Sequence, residues 1–268
     1  MENKRFILGN GVNKKVNEEK IKELTVILSE LNEKGLTEEL KEKGLELVKS
    51  ISPLELSIAE QGLIEEGTDP SELRHLCEIH MMVLKGELEK LQSNISKGHI
   101  LYTLIEEHEL ILGFLKELEE VTKTILSLDN YDESRKEFGK VTELIDNILN
   151  AEPHHKREED VLFPELEGKG VTGPTRIMRL EHDDLRRKKK ELKELSESVS
   201  NLDFKEYKRE LKRLSNAICF EQQDHIFKEN YILYPTALET INSESKWDNM
   251  KSECDKIGYC SFTPEECK

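Results

Sequence analysis

A chain of 268 residues with a formal net charge of −16 repels phosphate backbones and anionic lipid head groups, which argues against nucleic acid and membrane surfaces as partners. Charged and hydrophobic residues each make up 36% and aromatics only 6%, and long stretches rich in Glu, Lys and Leu are those of an all-α protein. No stretch reaches the roughly 20 apolar residues of a membrane span, MENKRFILGN lacks the apolar run of a secretory signal, and five cysteines are too few for a disulfide scaffold, so a cytoplasmic setting is expected.

Residues 1–95 read as a small helical domain of about four segments, near 17–34, 37–50, 53–66 and 70–94. Two capping boxes mark helix starts: in Ser52–Glu55 (SPLE) and Asp69–Glu72 (DPSE) a capping side chain precedes proline, and an acid three positions on reaches back to the cap amide. Gly35 and Gly67 end the preceding helices, and SNISKG at 93–98 reads as a linker. In RHLCEIH, His75, Cys77 and His80 sit on an apolar helix face, for which core packing is the simpler account than a metal or haem contact.

Residues 96–242 contain four longer segments, near 99–127, 133–167, 174–199 and 203–241, with apolar residues recurring three and four apart. LDNYD, GKGVTG and SNLD connect them. Connections this short imply antiparallel neighbours, hence an up-down-up-down four-helix bundle whose second and fourth helices run parallel. Residues 243–268 form a tail holding Cys254, Cys260 and Cys267, read either as a redox handle or as a solvated end.

The chemistry lies in an internal repeat. HHKREEDVLFP on the second helix and HIFKENYILYP on the fourth superpose without a gap: Glu158 and Glu229 follow His154 and His225 by four, Leu162 and Leu233 by eight, Phe163 and Tyr234 by nine, and Pro164 and Pro235 by ten. Four residues are about one helical turn, so each imidazole shares a face with its carboxylate. EHE at Glu107–Glu109 and EHD at Glu181–Asp183 add one histidine each from the first and third helices, and the antiparallel order brings His108 and His182 to the depth of Glu158 and Glu229. A lone HxxxE is ordinary helix surface in so acidic a chain, and His155 with Glu159 is read that way first. Two copies that agree at three further offsets are not. Imidazole with carboxylate suits iron, zinc or manganese, whereas a thiolate site needs cysteines that the bundle lacks apart from Cys219. Six ligands shared by two ions, with Glu158 and Glu229 bridging, leave positions open for a small molecule. Glu107, Glu181, Asp183 and Asp224 are candidate acceptors for the other ring N–H of each histidine.

At these residues the chain resembles the hemerythrin-like HHE cation-binding family over roughly 99–241, and HxxxEExxLFP, EHDD and HxxxENxxLYP look most like the di-iron proteins of iron-sulfur cluster repair. The resemblance implies two non-haem iron ions, carboxylate- and oxo-bridged, with His108, His154, Glu158, His182, His225 and Glu229 as ligands. The chain departs from oxygen-carrying hemerythrins, in which a second histidine follows one turn after the first on the third helix. Here Arg186 stands at that position, leaving His155, Glu159 and His99 as further ligand candidates. The resemblance implies a sensor of oxygen, nitric oxide or related oxidants, or alternatively a di-iron enzyme or iron donor in stress defence that needs a redox partner. The segment ISPLELSIAEQGLIEEGTDPSELRHLCEIHMMVLKGELEKL resembles an uncharacterised helical domain that often precedes HHE bundles.

Overall fold

The computed structural model describes residues 95–268, with Val26, Glu30 and Gln92 as single positions before them. The capping boxes and the His75–His80 segment lie outside the described residues. Those that are described form helices α1 (Ile100–Leu126), α2 (Lys136–Leu149), α3 (Glu152–Arg157), α4 (Phe163–Gly168), α5 (Gly173–Glu197), α6 (Phe204–Lys228), α7 (Tyr234–Thr240) and α8 (Glu244–Ile257), and no strand occurs among them. They fall into two units, Ile95–Ile226 with Ala237–Lys268 in one and Phe227–Thr236 in the other.

Side-chain pairs fix the helix directions. Along α1 and the second helix, Glu117 meets Lys140 at 2.9 Å and Glu107 meets His154 at 2.8 Å. Between the second helix and α5 the pairs are Thr142–Ser196, Asp146–Lys193 and Glu152–Arg186. Lys188 reaches Glu221 and Glu181 reaches His225 between α5 and α6, while Thr122–Ser215 ties α6 back to α1. In every case one number rises as the other falls, so neighbours are antiparallel and the bundle runs up, down, up, down.

One half of the bundle is apolar. Ile111, Leu115, Leu118 and Ile125 of α1 pack with Val141, Leu144, Ile145 and Ile148 of α2, Leu192 of α5, and Leu211, Leu214 and Ile218 of α6. Each buried aliphatic side chain contributes roughly 1.5–3 kcal/mol by leaving water. The other half mixes buried apolar side chains such as Leu104, Ile105, Leu162 and Phe163 with a buried polar cluster: Glu107, His108, His154, His155, Arg157, Glu158, His182, Lys189 and His225 all lie below 3% exposure. Such a concentration of buried polar groups is tolerated only where they are paired or hold a ligand.

Two interruptions shape the second helix, which the pattern predicts as continuous. The chain turns at Asn150 and Ala151 and restarts at α3, whose second residue is Pro153. A proline has no N–H to give the carbonyl four back and biases the residue before it away from helix, so a new helix begins there instead. Next, Glu158–Leu162 is a π-turn in which the Phe163 N–H donates to the Glu158 carbonyl, five residues back. The fourth helix repeats this at Glu229–Leu233, where the Tyr234 N–H donates to the Glu229 carbonyl. Each π-turn ends two residues before a repeat proline, Pro164 or Pro235. The widened turn relieves the crowding between the proline ring and the carbonyl four residues back.

The C-terminal residues are not a solvated end. Trp247 of α8 lies against His99 with ring centroids 4.5 Å apart and donates to the Ile241 carbonyl, and Phe262 meets Phe114 edge-on at 5.3 Å. Cys254, Cys260 and Cys267 are buried free thiols. Gly258 ends α8 at φ 92°, a conformation that a side chain would strain.

Candidate metal centre

His154 and His155 stand in the first turn after the Pro153 restart, and both are buried. Glu158 follows as the first residue of the π-turn, His108 comes from α1, His182 from α5 and His225 from α6. Their donor atoms gather in three groups, each spanning no more than 4.8 Å: His155, His182 and His225; His108, His154 and Glu229; and Glu158, His182 and Glu229. Glu158 Oε2 lies 3.5 Å from both His154 Nε2 and His182 Nε2, placing its carboxylate between the two histidine sets.

The other nitrogen of three of these rings is held from outside. His154 Nδ1 is 2.8 Å from Glu107, His182 Nδ1 2.7 Å from Glu159, and His225 Nδ1 2.9 Å from Glu181. These carboxylates accept hydrogen bonds from Nδ1–H and leave Nε2 of each of the three rings as an electron-pair donor turned inward. The tautomer is assigned from this hydrogen-bond network. His182 Nε2 and His225 Nε2 face each other at 2.8 Å. Two imidazole nitrogens so close can share one proton or bind one cation; the donor set therefore fits a metal on its own chemistry.

The outer carboxylates are themselves anchored. Arg157 Nη2 donates to both oxygens of Glu107 at 2.6 Å, and the Thr263 hydroxyl donates to Oε1 at 2.5 Å. Burial pushes Glu107 upward, but the His154 hydrogen bond, the Arg157 guanidinium and Thr263 outweigh it and hold the carboxyl at about 2. Glu159 is balanced in the same way: burial raises it, while His182 and Arg186 bring it down to about 2. Arg186 reaches Glu159 at 3.0 Å and Glu152 at 3.0 Å.

Of the residues singled out in the sequence, His108, His154, Glu158, His182, His225 and Glu229 each occur in one or more of these donor groups, and so does His155. Glu159 stands outside these groups as the acceptor for His182, and His99 caps α1 by accepting from the Leu101 N–H. Glu107 and Glu181 are the expected ring acceptors, while exposed Asp183 pairs with Arg186. Sequence reasoning missed Arg157 and Thr263. Arg157 lies inside HHKREED but its charge reads as surface, and nothing local to Thr263 announces a contact with Glu107.

No curated protein matches the chain. Residues 24–90 match the model of a family of unknown function, DUF438. Residues 99–237 match the model of the hemerythrin HHE cation-binding domain, a span holding all four histidine-bearing helices and both HxxxE motifs. With buried imidazoles and carboxylates converging inside the helical bundle that this domain describes, the chain belongs to the hemerythrin HHE family, whose domain binds metal cations, typically iron.

Proposed function

We propose that the bundle holds two iron ions through His108, His154, Glu158, His182, His225 and Glu229, and that the pair senses oxygen, nitric oxide or a related oxidant. The observation that carries this reading is the position of Glu158, whose carboxylate oxygen lies 3.5 Å from an imidazole of each set and would be within reach of an ion held by either. An iron pair, when bound, supplies open coordination positions and one-electron chemistry for a small diatomic ligand. The residues supply the rest. Glu107, Glu159 and Glu181 fix the ring orientations and raise the basicity of the imidazoles. Phe163, stacked 5.9 Å from His182, covers that ring on one side.

The test is anaerobic reconstitution with Fe(II), followed by metal analysis, Mössbauer and absorption spectroscopy, and titration with oxygen and then nitric oxide. About two iron per chain and a rapid, reversible spectral change without turnover are expected. A preparation that retains no metal refutes the proposal. Steady consumption of oxidant in the presence of a reductase replaces sensing with the enzyme reading.

A further inference from the structure

His155 lies next to a proposed ligand and one turn before no other, and a core histidine is the plain account of it. Its surroundings say otherwise. The ring is buried at 2% exposure and stacks on His182 with centroids 4.2 Å apart and planes 28° apart. It meets His225 edge-on at 6.3 Å. One of its ring nitrogens lies within 4.8 Å of donor nitrogens of both His182 and His225. Its Nδ1 is buried without a hydrogen bond, because the nearest carboxylate, Glu152, stays 3.7 Å away. Glu152 is committed to Arg186 at 3.0 Å. A buried imidazole kept only for packing is expected to have both nitrogens satisfied or to be replaced by an apolar side chain.

We infer that His155 is a fifth imidazole ligand, so that the two metal positions are unequal: His155, His182 and His225 serve one, and His108 and His154 the other. The Pro153 restart makes this possible by starting a fresh helical turn from which two consecutive histidines both point inward. Arg186, one turn after His182 on α5, faces Glu152 and Glu159, and the imidazole comes from the neighbouring helix instead. The inference rests on the di-iron reading.

The experiment compares full-length wild type, His155→Ala and His155→Cys, each reconstituted anaerobically with Fe(II), with His99→Ala as a control outside the donor groups. Far-UV circular dichroism verifies the fold. Wild type should show two distinct Mössbauer doublets of equal area. His155→Ala should lose one of them preferentially, falling from about two toward about one iron per chain after gel filtration. In His155→Cys, oxidised to the ferric state, a thiolate-to-iron charge-transfer band should appear that wild type and His99→Ala lack. A wild type with about two iron, an indistinguishable His155→Ala spectrum and no new band in His155→Cys overturns this inference alone. A wild type that holds no metal overturns the di-iron reading and this inference together. If His155→Ala does not fold, the charge-transfer band of His155→Cys decides.

Discussion

Glu107→Gln separates charge from shape at a site where both are visible. The carboxylate is fully buried and carries Arg157 at 2.6 Å, His154 at 2.8 Å and the Thr263 hydroxyl. Removing its charge strands a buried guanidinium, which costs about 3–5 kcal/mol. At about 2–4 °C per kcal/mol for a domain of this size, the melting temperature of the metal-free protein should fall by about 6–20 °C. Adding Arg157→Met removes the stranded charge, and the double variant should recover most of the loss. Iron affinity should not recover, because His154 still lacks the carboxylate that orients it; a deficit of about 10-fold or more is expected in both variants. The pH dependence follows in sign. A carboxyl held at about 2 in the fold, below its ordinary 4.5, adds stability that is fully present above 4.5 and fades as pH falls toward 2. The gap between wild type and Glu107→Gln should therefore close in acid. Calorimetry in chelator measures the stability and competition with a chromophoric chelator the affinity. A single variant melting with wild type, or a double variant no more stable than the single, would refute this account of the Glu107–Arg157 pair.

Glu159→Gln frees His182 Nδ1 from its anionic partner, and iron affinity should drop by about 10–100-fold with little change in helix content, as read by metal titration and circular dichroism. Pro164→Ala restores an amide donor inside the second helix, so the metal-free protein should melt no lower than wild type while iron retention falls; unchanged retention would detach the π-turn from the site. Leu115→Ala, in the apolar half, should cost about 2–5 kcal/mol in urea denaturation while leaving the iron spectrum as it is. Burial pushes the Cys254 and Cys260 thiols up to about 12, so at pH 8 they should react with a disulfide reagent only after unfolding.

The bundle was legible because amphipathic helices joined by short turns have few ways to pack, and His154–Pro164 against His225–Pro235 is a repeat that needs no structure to see. The depth at which His108 and His182 meet the two motifs followed from helix direction alone. Less local features were hidden. The matched prolines were visible, but the π-turn is a backbone response that propensity does not register. The inward turn of His155 depends on where Pro153 restarts the helix. The burial of Cys254, Cys260 and Cys267 depends on contacts such as Phe262 with Phe114, nearly 150 residues apart in sequence, which hydrophobic periodicity cannot reveal.

The opposed nitrogens of His182 and His225 have a consequence for the protein's lifetime. A cation held between them by the folded chain and not by the unfolded one stabilises the fold further with every increase in free metal. Empty copies open more often and are the ones degraded first. The steady-state amount of this protein should thus follow the supply of its metal.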